Sequence, residues 1–574
     1  MKKLLFSLSF LLASAMVTAA PRSLSQMKSA AESALKVQPV AATRGGSAQL
    51  EVMKQGRQYT VLGYKTGGFA VIANDDEFNA VIGYSDREFS TDNLPPAMLW
   101  WMEAADEAMT QRLASGGQTV SAAEMRSSSY PEAVEPLMVS EWDQSAPYNN
   151  IVSQRLGATV YTGCVATAMA QIMYYHRSPT RGTGGKNYII ESEDPSTNGK
   201  RLAVSFNSAY DWDNMLPTYT TGSYNTTQAN AVATLMLHCG VAVEMSYGTA
   251  LVGGSGAFDY NVALAANQYF GYAAKLYTRD VYSTEQWMDM IFDEISNGRP
   301  VYYGGVTAQE AGHAFVFDGY NEEGLVHVNW GWSGSGNGYF DVALLNSSTG
   351  GSYSYQQSMV VMHPGGQPEI PYTSQWGLLD WALQDIEGSF TVTVNGTQLT
   401  FQATQLYNLD AEDFEGNLGL LAEPVDGGTA TVLTEMEVTT GVSNIMGYLG
   451  GYSHIGNTVS IAGLPDGTYR VYLASKATTE TDWQPVHSNE NIVNNYILTI
   501  RNGSASVEEG KGGWTTGIES VNAGAAAGDG TVRVYTADGV LVYTAPASEY
   551  RLEDVPATGL LIVKNGVNTV KVVK

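Results

Sequence analysis

Helical periodicity in this chain stops at Asn297. Apolar residues recur at helical spacing over residues 95–113, directly after Cys164, over about 228–239, and over 284–297. From Val301 onward the pattern is alternation, at residues 301–303, 314–318, 325–330 and 358–362, and again throughout 370–505. Helices that come mainly first and strands that come later predict an α+β fold. The length of 574 residues leaves room for about three to five domains of ordinary size.

Charge narrows the range of functions. Lys and Arg number 30 against 57 Asp and Glu, a net charge of −27. Nucleic-acid binding needs clustered cations, so a broad basic nucleic-acid surface is excluded, and docking on anionic lipid is disfavoured. The two cysteines, Cys164 and Cys239, exclude a disulfide framework, a four-cysteine zinc site and an iron–sulfur cluster. No cofactor or metal is expected.

The chain divides by texture. Residues 1–20 read as a secretory signal peptide: Lys2 and Lys3, an apolar run to Val17, then Thr18-Ala19-Ala20 before Pro21. No later segment has 18 uninterrupted apolar residues, so no membrane-spanning helix is expected. Residues 21–135 read as a small separate unit, with strands in 58–73 and 80–84 and a helix at 95–113. Residues 114–130 are small and polar, the texture of an exposed, nickable tip, and contain Arg126. Residues 136–364 carry the mixed helix and strand signals. Residues 370–505 read as a β-sandwich, with Asn395-Gly396 and Asp466-Gly467 as turns. Glu508-Glu509-Gly510-Lys511-Gly512-Gly513 marks a linker, and 518–574 a short β module.

The chemical centre lies in Thr162-Gly163-Cys164-Val165-Ala166-Thr167-Ala168-Met169-Ala170-Gln171-Ile172-Met173-Tyr174-Tyr175-His176. A helix beginning at Gly163 sets Cys164 where unpaired amides and the dipole favour a thiolate, the reactive form of the thiol. Cys239 falls near the C-terminal end of an apolar helix, where the dipole disfavours one. A thiolate nucleophile needs a base. His313 follows Gly312 and opens an alternating strand that it shares with Phe315 and Phe317. His327 shares a face with Asn329, and Trp330 points the other way. Taken singly, either histidine is ordinarily structural. Together with Cys164 they offer a nucleophile and a base, with Asn329 to orient the imidazole and Trp330 to shield that contact.

These segments resemble one known family. Glu141-Trp142-Asp143-Gln144-Ser145-Ala146-Pro147-Tyr148-Asn149, the Cys164 segment, Gly312-His313-Ala314-Phe315-Val316-Phe317-Asp318-Gly319 and His327-Val328-Asn329-Trp330-Gly331-Trp332 are similar, in order and spacing, to the streptopain family of secreted bacterial cysteine proteases. Gly68-Phe69-Ala70-Val71-Ile72-Ala73 and Ile82-Gly83-Tyr84-Ser85 resemble that family's propeptide. The resemblance implies a papain-like core and a zymogen whose propeptide is an intramolecular inhibitor. It implies Cys164 as nucleophile, His313 as general base, Gln144 as an oxyanion-hole donor, and Asn329 and Trp330 beside the histidine. Protein or peptide substrates are implied, and a secreted or cell-surface location. His327 is then a strand residue near the site. The loop after Tyr303 lacks an expected glutamine, which leaves subsite preference open. The Gly-rich stretch 248–256 reads equally as a cleft loop or a plain surface turn. Residues 518–574 resemble the C-terminal sorting domain of the type IX secretion route of Bacteroidetes-type bacteria.

Two other functions fit less of the pattern. One is a degenerate protease-like binding or adhesion protein that presents the sandwich; retention of Cys164, His313, Gln144 and Asn329 disfavours it. The other is a thiol acyl- or amidotransferase, against which a propeptide argues.

Overall fold

The run Phe69–Ala73 is apolar at every position and buried at every position. A strand of this kind needs cover on both faces. Ala70 and Ile72 pack with Leu62 against Met27, Ala31 and Leu35 of the helix Leu24–Leu35. Phe69, Val71 and Ala73 face the opposite way, into a core shared with Trp100, Trp101, Phe315, Phe317, Trp330 and Phe340. The N-terminal unit and the central domain therefore have one core in common.

They also share a sheet. Strands Glu51–Gln55, Tyr59–Gly63, Phe69–Ala73 and Val81–Ser85 continue through Gly338–Phe340, Val326–Asn329, Gly312–Tyr320, Val301–Val306, Tyr355–His363 and Ala273–Thr278, ten strands in that spatial order. The junction is short: Tyr84 lies opposite Tyr339, and Gly83 opposite Phe340. The helix Pro96–Ser115 lies on one face of this sheet. The helices Cys164–His176, Thr226–Ala242 and Tyr260–Phe270 lie on the other, around Val165, Met169, Leu235, Val262, Tyr302, Ala314 and Val316.

In this computed structural model the described residues are 20–35, 49–115, 122–128, 130–306, 312–345, 355–365, 370, 372–380, 386–488 and 492–510, with four strand backbones beyond residue 530. The expected signal peptide lies outside them, save Ala20. Among the described residues no helix is long and apolar enough to cross a membrane, and no group of His, Cys, Asp and Glu is placed to hold a metal ion.

Residues 372–510 form two largely antiparallel sheets. Phe390, Leu399 and Phe401 of one sheet share a core with Leu418, Leu420 and Val471 of the other. This two-sheet module is fastened to the central domain. Val281, Leu379 and Leu409 cluster at the junction. Lys275 donates to the carbonyl and hydroxyl oxygens of Thr373 at 3.1 and 2.5 Å, and the Gln375 amide donates to the Leu276 carbonyl at 3.1 Å. Residues 515–574 are a separate unit whose strands, Leu541–Pro546, Thr531–Thr536, Leu560–Asn565 and Asn568–Val573, form one antiparallel sheet in that order.

Two sequence readings are corrected. Glu508 and Glu509 close the strand Ser504–Glu509 and are not linker; residues 511–513 lie outside the described residues. Arg126 is not on a loose tip. It donates to the carbonyls of Asn321 and Glu322 and lies 5.8 Å from the Tyr320 ring, and Ala122 beside it is buried. Small polar composition suggested exposure, but the Arg126 side chain finds carbonyl acceptors on the neighbouring domain.

Candidate active site

Gly163 has φ 86°, and a side chain there would collide with Met245, so the turn into the helix requires glycine. The helix Cys164–His176 follows at once. It is apolar on nearly every side and buried accordingly. Cys164 stands at its first position, partly buried, and both cysteines are free thiols. Cys239 is fully buried, with its sulfur 3.6 Å from that of Met173.

The loop before the helix is tied to Gln144. The Thr162 amide donates to the Gln144 carbonyl at 3.0 Å. Asp143 fixes the turn: its carboxylate accepts from the amides of Gln144 and Ser145 at 2.5 and 2.9 Å and from the Ser333 hydroxyl at 2.6 Å. Gln171, fully buried on the Cys164 helix, accepts from the Trp142 amide at 3.2 Å. It also exchanges a pair of 3.3 Å hydrogen bonds with Asn329, whose amide donates to the Ser140 carbonyl at 2.7 Å. Gln171 thus ties the nucleophile's helix to both flanking segments.

Sheet geometry separates the two reactive groups. Gly304 pairs with Ala314, and Gly305 with His313. Cross-strand partners share a face. Ala314 and Val316 face the Cys164 helix, and the Ala314 amide donates to the Cys164 sulfur. Phe315 and Phe317 face the other side, so alternation puts His313 there too. The neighbour on that side is Trp100, from the helix Pro96–Ser115. Its ring lies 5.9 Å from that of Phe315, and a Cβ on Gly305 would come within 2.5 Å of it. Among the described residues no hydrogen bond joins Cys164 to His313.

Burial favours the neutral form of both groups. Burial lowers the His313 pKa from 6.5 to about 4. Burial pushes the Cys164 thiol up, and the nearby charge of Asp259 adds to that, against the favourable Ala314 amide. The helix start was expected to favour a thiolate; here desolvation outweighs the helix amides.

The remaining expected residues fall on both faces. Trp330 lies with Phe315 and Phe340, at ring distances of 5.0 and 5.2 Å, and its indole donates to the Gly336 carbonyl at 2.9 Å. It belongs to the core that holds Trp100, while Asn329 is bonded to Ser140 and Gln171. His327 pairs with the buried Asp318 at 2.6 Å. One residue near the nucleophile was absent from the sequence reading. Asp259 turns its carboxylate onto the sheet, accepting from the Tyr302 hydroxyl and, at 2.8 Å, from the Ser358 hydroxyl. Its signal was Gly304: a Cβ there would collide with the Asp259 carboxylate.

Comparison with known proteins bears on this site. Residues 142–340 match the Peptidase C10 family, and residues 17–109 match the Spi protease inhibitor family. Streptopain of Streptococcus pyogenes is 31% identical over 372 residues, which span 59% of this chain and 91% of that protein. The thiol protease/hemagglutinin PrtT of Porphyromonas gingivalis is 31% identical over 324 residues, 53% of this chain and 36% of its own length. Among solved structures, a fragment of Prevotella intermedia prointerpain A is 42% identical, with a TM-score of 0.50 over 55% of this chain and 98% of the fragment.

Proposed function

Because the chain belongs to the Peptidase C10 family of cysteine proteases and carries an inhibitor-like propeptide, we propose that it is a secreted endopeptidase zymogen in which Cys164 and His313 form the catalytic pair. Once the propeptide departs, His313 turns to the face of the sheet that carries Cys164 and takes the thiol proton. The thiolate attacks the peptide carbonyl. The Cys164 amide and the Gln144 side chain hold the oxyanion. The imidazolium gives its proton to the leaving amine, which departs and leaves a thioester. Water, deprotonated by His313, releases the acid and restores the thiol. Asn329 orients the imidazole, and Trp330 closes over it after the same rearrangement.

The observation that carries this reading is the division at Gly304 and Gly305. Cys164 is bonded to the Ala314 amide on one face, while strand alternation assigns the preceding residue, His313, to the face where Trp100 covers Gly305. A single residue step separates the latent from the paired arrangement. We read residues 136–364 as the papain-like domain, 21–135 as the propeptide, 370–505 as a β-sandwich and 518–574 as a sorting module for export behind the signal peptide of residues 1–20.

The test is autoconversion of purified precursor. Wild-type chain is expected to shorten by a cut within residues 114–135, and Cys164→Ala to remain full length. Cys239→Ser is expected to convert and to keep most of its activity, since Cys239 is buried on a different helix. Conversion of Cys164→Ala alone in the tube, or mass-spectrometric labelling of Cys239 by a mechanism-based thiol probe, would overturn the assignment.

A further inference from the structure

Asp259 stands just before the helix Tyr260–Phe270, yet its side chain does not cap that helix. It reaches across to the sheet, into room left by the missing side chain of Gly304. Ala314, Gly304 and Ser358 form a row across three adjacent strands. Cys164 is bonded at the first of these, and Asp259 sits over the second and is bonded to the third. The carboxylate is therefore about one strand spacing, ~5 Å, along the sheet from the nucleophile's contact.

Its surroundings are unusual for a carboxylate. Its hydrogen-bond donors are two neutral hydroxyls, those of Tyr302 and Ser358. Among the described residues no Lys, Arg or His forms an ion pair with it, and residues 307–311 contain none of these types. Buried acids are ordinarily paired with a cation. Its chain neighbours are aromatic. Phe258 is 69% exposed and stacks on Tyr260 at 5.5 Å, and Tyr260 lies 4.9 Å from Tyr448, which the two-sheet module contributes.

A carboxylate short of a cation, with aromatic chain neighbours and set one strand from the Cys164 contact, fits a basic side chain. An alkyl stem packs on Phe258 and Tyr260, and the charged head reaches the acid. Resting on the reading of Cys164 as nucleophile, we infer that Asp259 is a specificity residue that selects Lys or Arg within two residues of the scissile bond. Burial pushes the Asp259 pKa up, against the two hydroxyl hydrogen bonds that lower it, and an arriving ammonium or guanidinium draws it back.

The experiment is a positional scan with the autoconverted enzyme. Fluorogenic peptides vary Lys, Arg, Gln and Met at the two positions on either side of the cleaved bond. One position is expected to favour Lys or Arg over Met by about tenfold in kcat/KM, the size of a single charge-pair effect. Asp259→Asn is expected to bring that ratio close to one. A wild-type scan without a basic preference overturns the inference and needs no folded variant. A preference that survives in a folded Asp259→Asn, verified by its melting temperature, also overturns it. Cleavage by Cys164→Ala would instead remove the premise; an inert Cys164→Ala beside a flat Lys-to-Met ratio removes only the role given to Asp259.

Discussion

At the scale of single residues, burial favours the neutral forms of Cys164 and His313. The folded-state pKa of His313, about 4, lies below its ordinary 6.5. Its contribution to stability is therefore complete above about pH 6.5 and is lost as pH falls through about 4. In a histidine NMR titration of the Cys164→Ala precursor, the His313 signal is expected to stay neutral down to about pH 5. A midpoint at or above 6.5 would mean that the imidazole is already solvated or paired with an anion. Cys164 and His313 drew notice in the sequence because Gly163-Cys164 and Gly312-His313 pair a nucleophilic or basic side chain with a glycine that clears space around it, whereas Gln144 entered only through the family resemblance. Asp259 was not legible. Nothing near it in sequence marks it, and its partners Tyr302, Gly304 and Ser358 come from strands 43 to 99 residues away.

At the scale of elements, the helix Pro96–Ser115 covers one face of the sheet. Trp100 is 1% exposed and fills the face of the sheet opposite the nucleophile's helix, over Gly305 and Phe315. Trp100→Ala is expected to cost the precursor about 3–5 kcal/mol, the range for emptying a buried aromatic site. It is also expected to hasten autoconversion, read as the half-life of the full-length band. An unchanged half-life would show that this ring does not hold the latent state. The helix itself was readable from its period and its two leading prolines, with ends within about two residues. Its partner was not, because a helical stripe of Trp and Met records that a face is covered but not by what. The opposite placement of Asn329 and Trp330 was readable from strand alternation. The strand Ala273–Thr278 and the helix Tyr260–Phe270 escaped notice because their apolar residues follow no clean period.

At the scale of the whole molecule, the two-sheet module behaves as part of the protease rather than as a tethered passenger. Leu409 is 1% exposed at the junction with Val281 and Leu379. Calorimetry of Cys164→Ala precursor is expected to show the protease domain and this module melting in one transition. Leu409→Ala is expected to lower that transition by the equivalent of about 2–4 kcal/mol. Two transitions, only one of them displaced, would show that the junction couples nothing. Turn spacing and the change from helical to alternating period divided the sequence into segments. They could not disclose that the N-terminal unit and the central domain share one core, since that depends on which buried faces meet.

The ten-stranded sheet carries one further consequence. Four of its strands belong to the N-terminal unit, and within the sheet they pair with the rest through Gly338–Phe340. When the leader is shed, that inner strand becomes a raw margin with unspoken-for amides and carbonyls. Long margins of this kind recruit other chains into aggregates. Here the bare hem is three residues long, too brief to template a stranger.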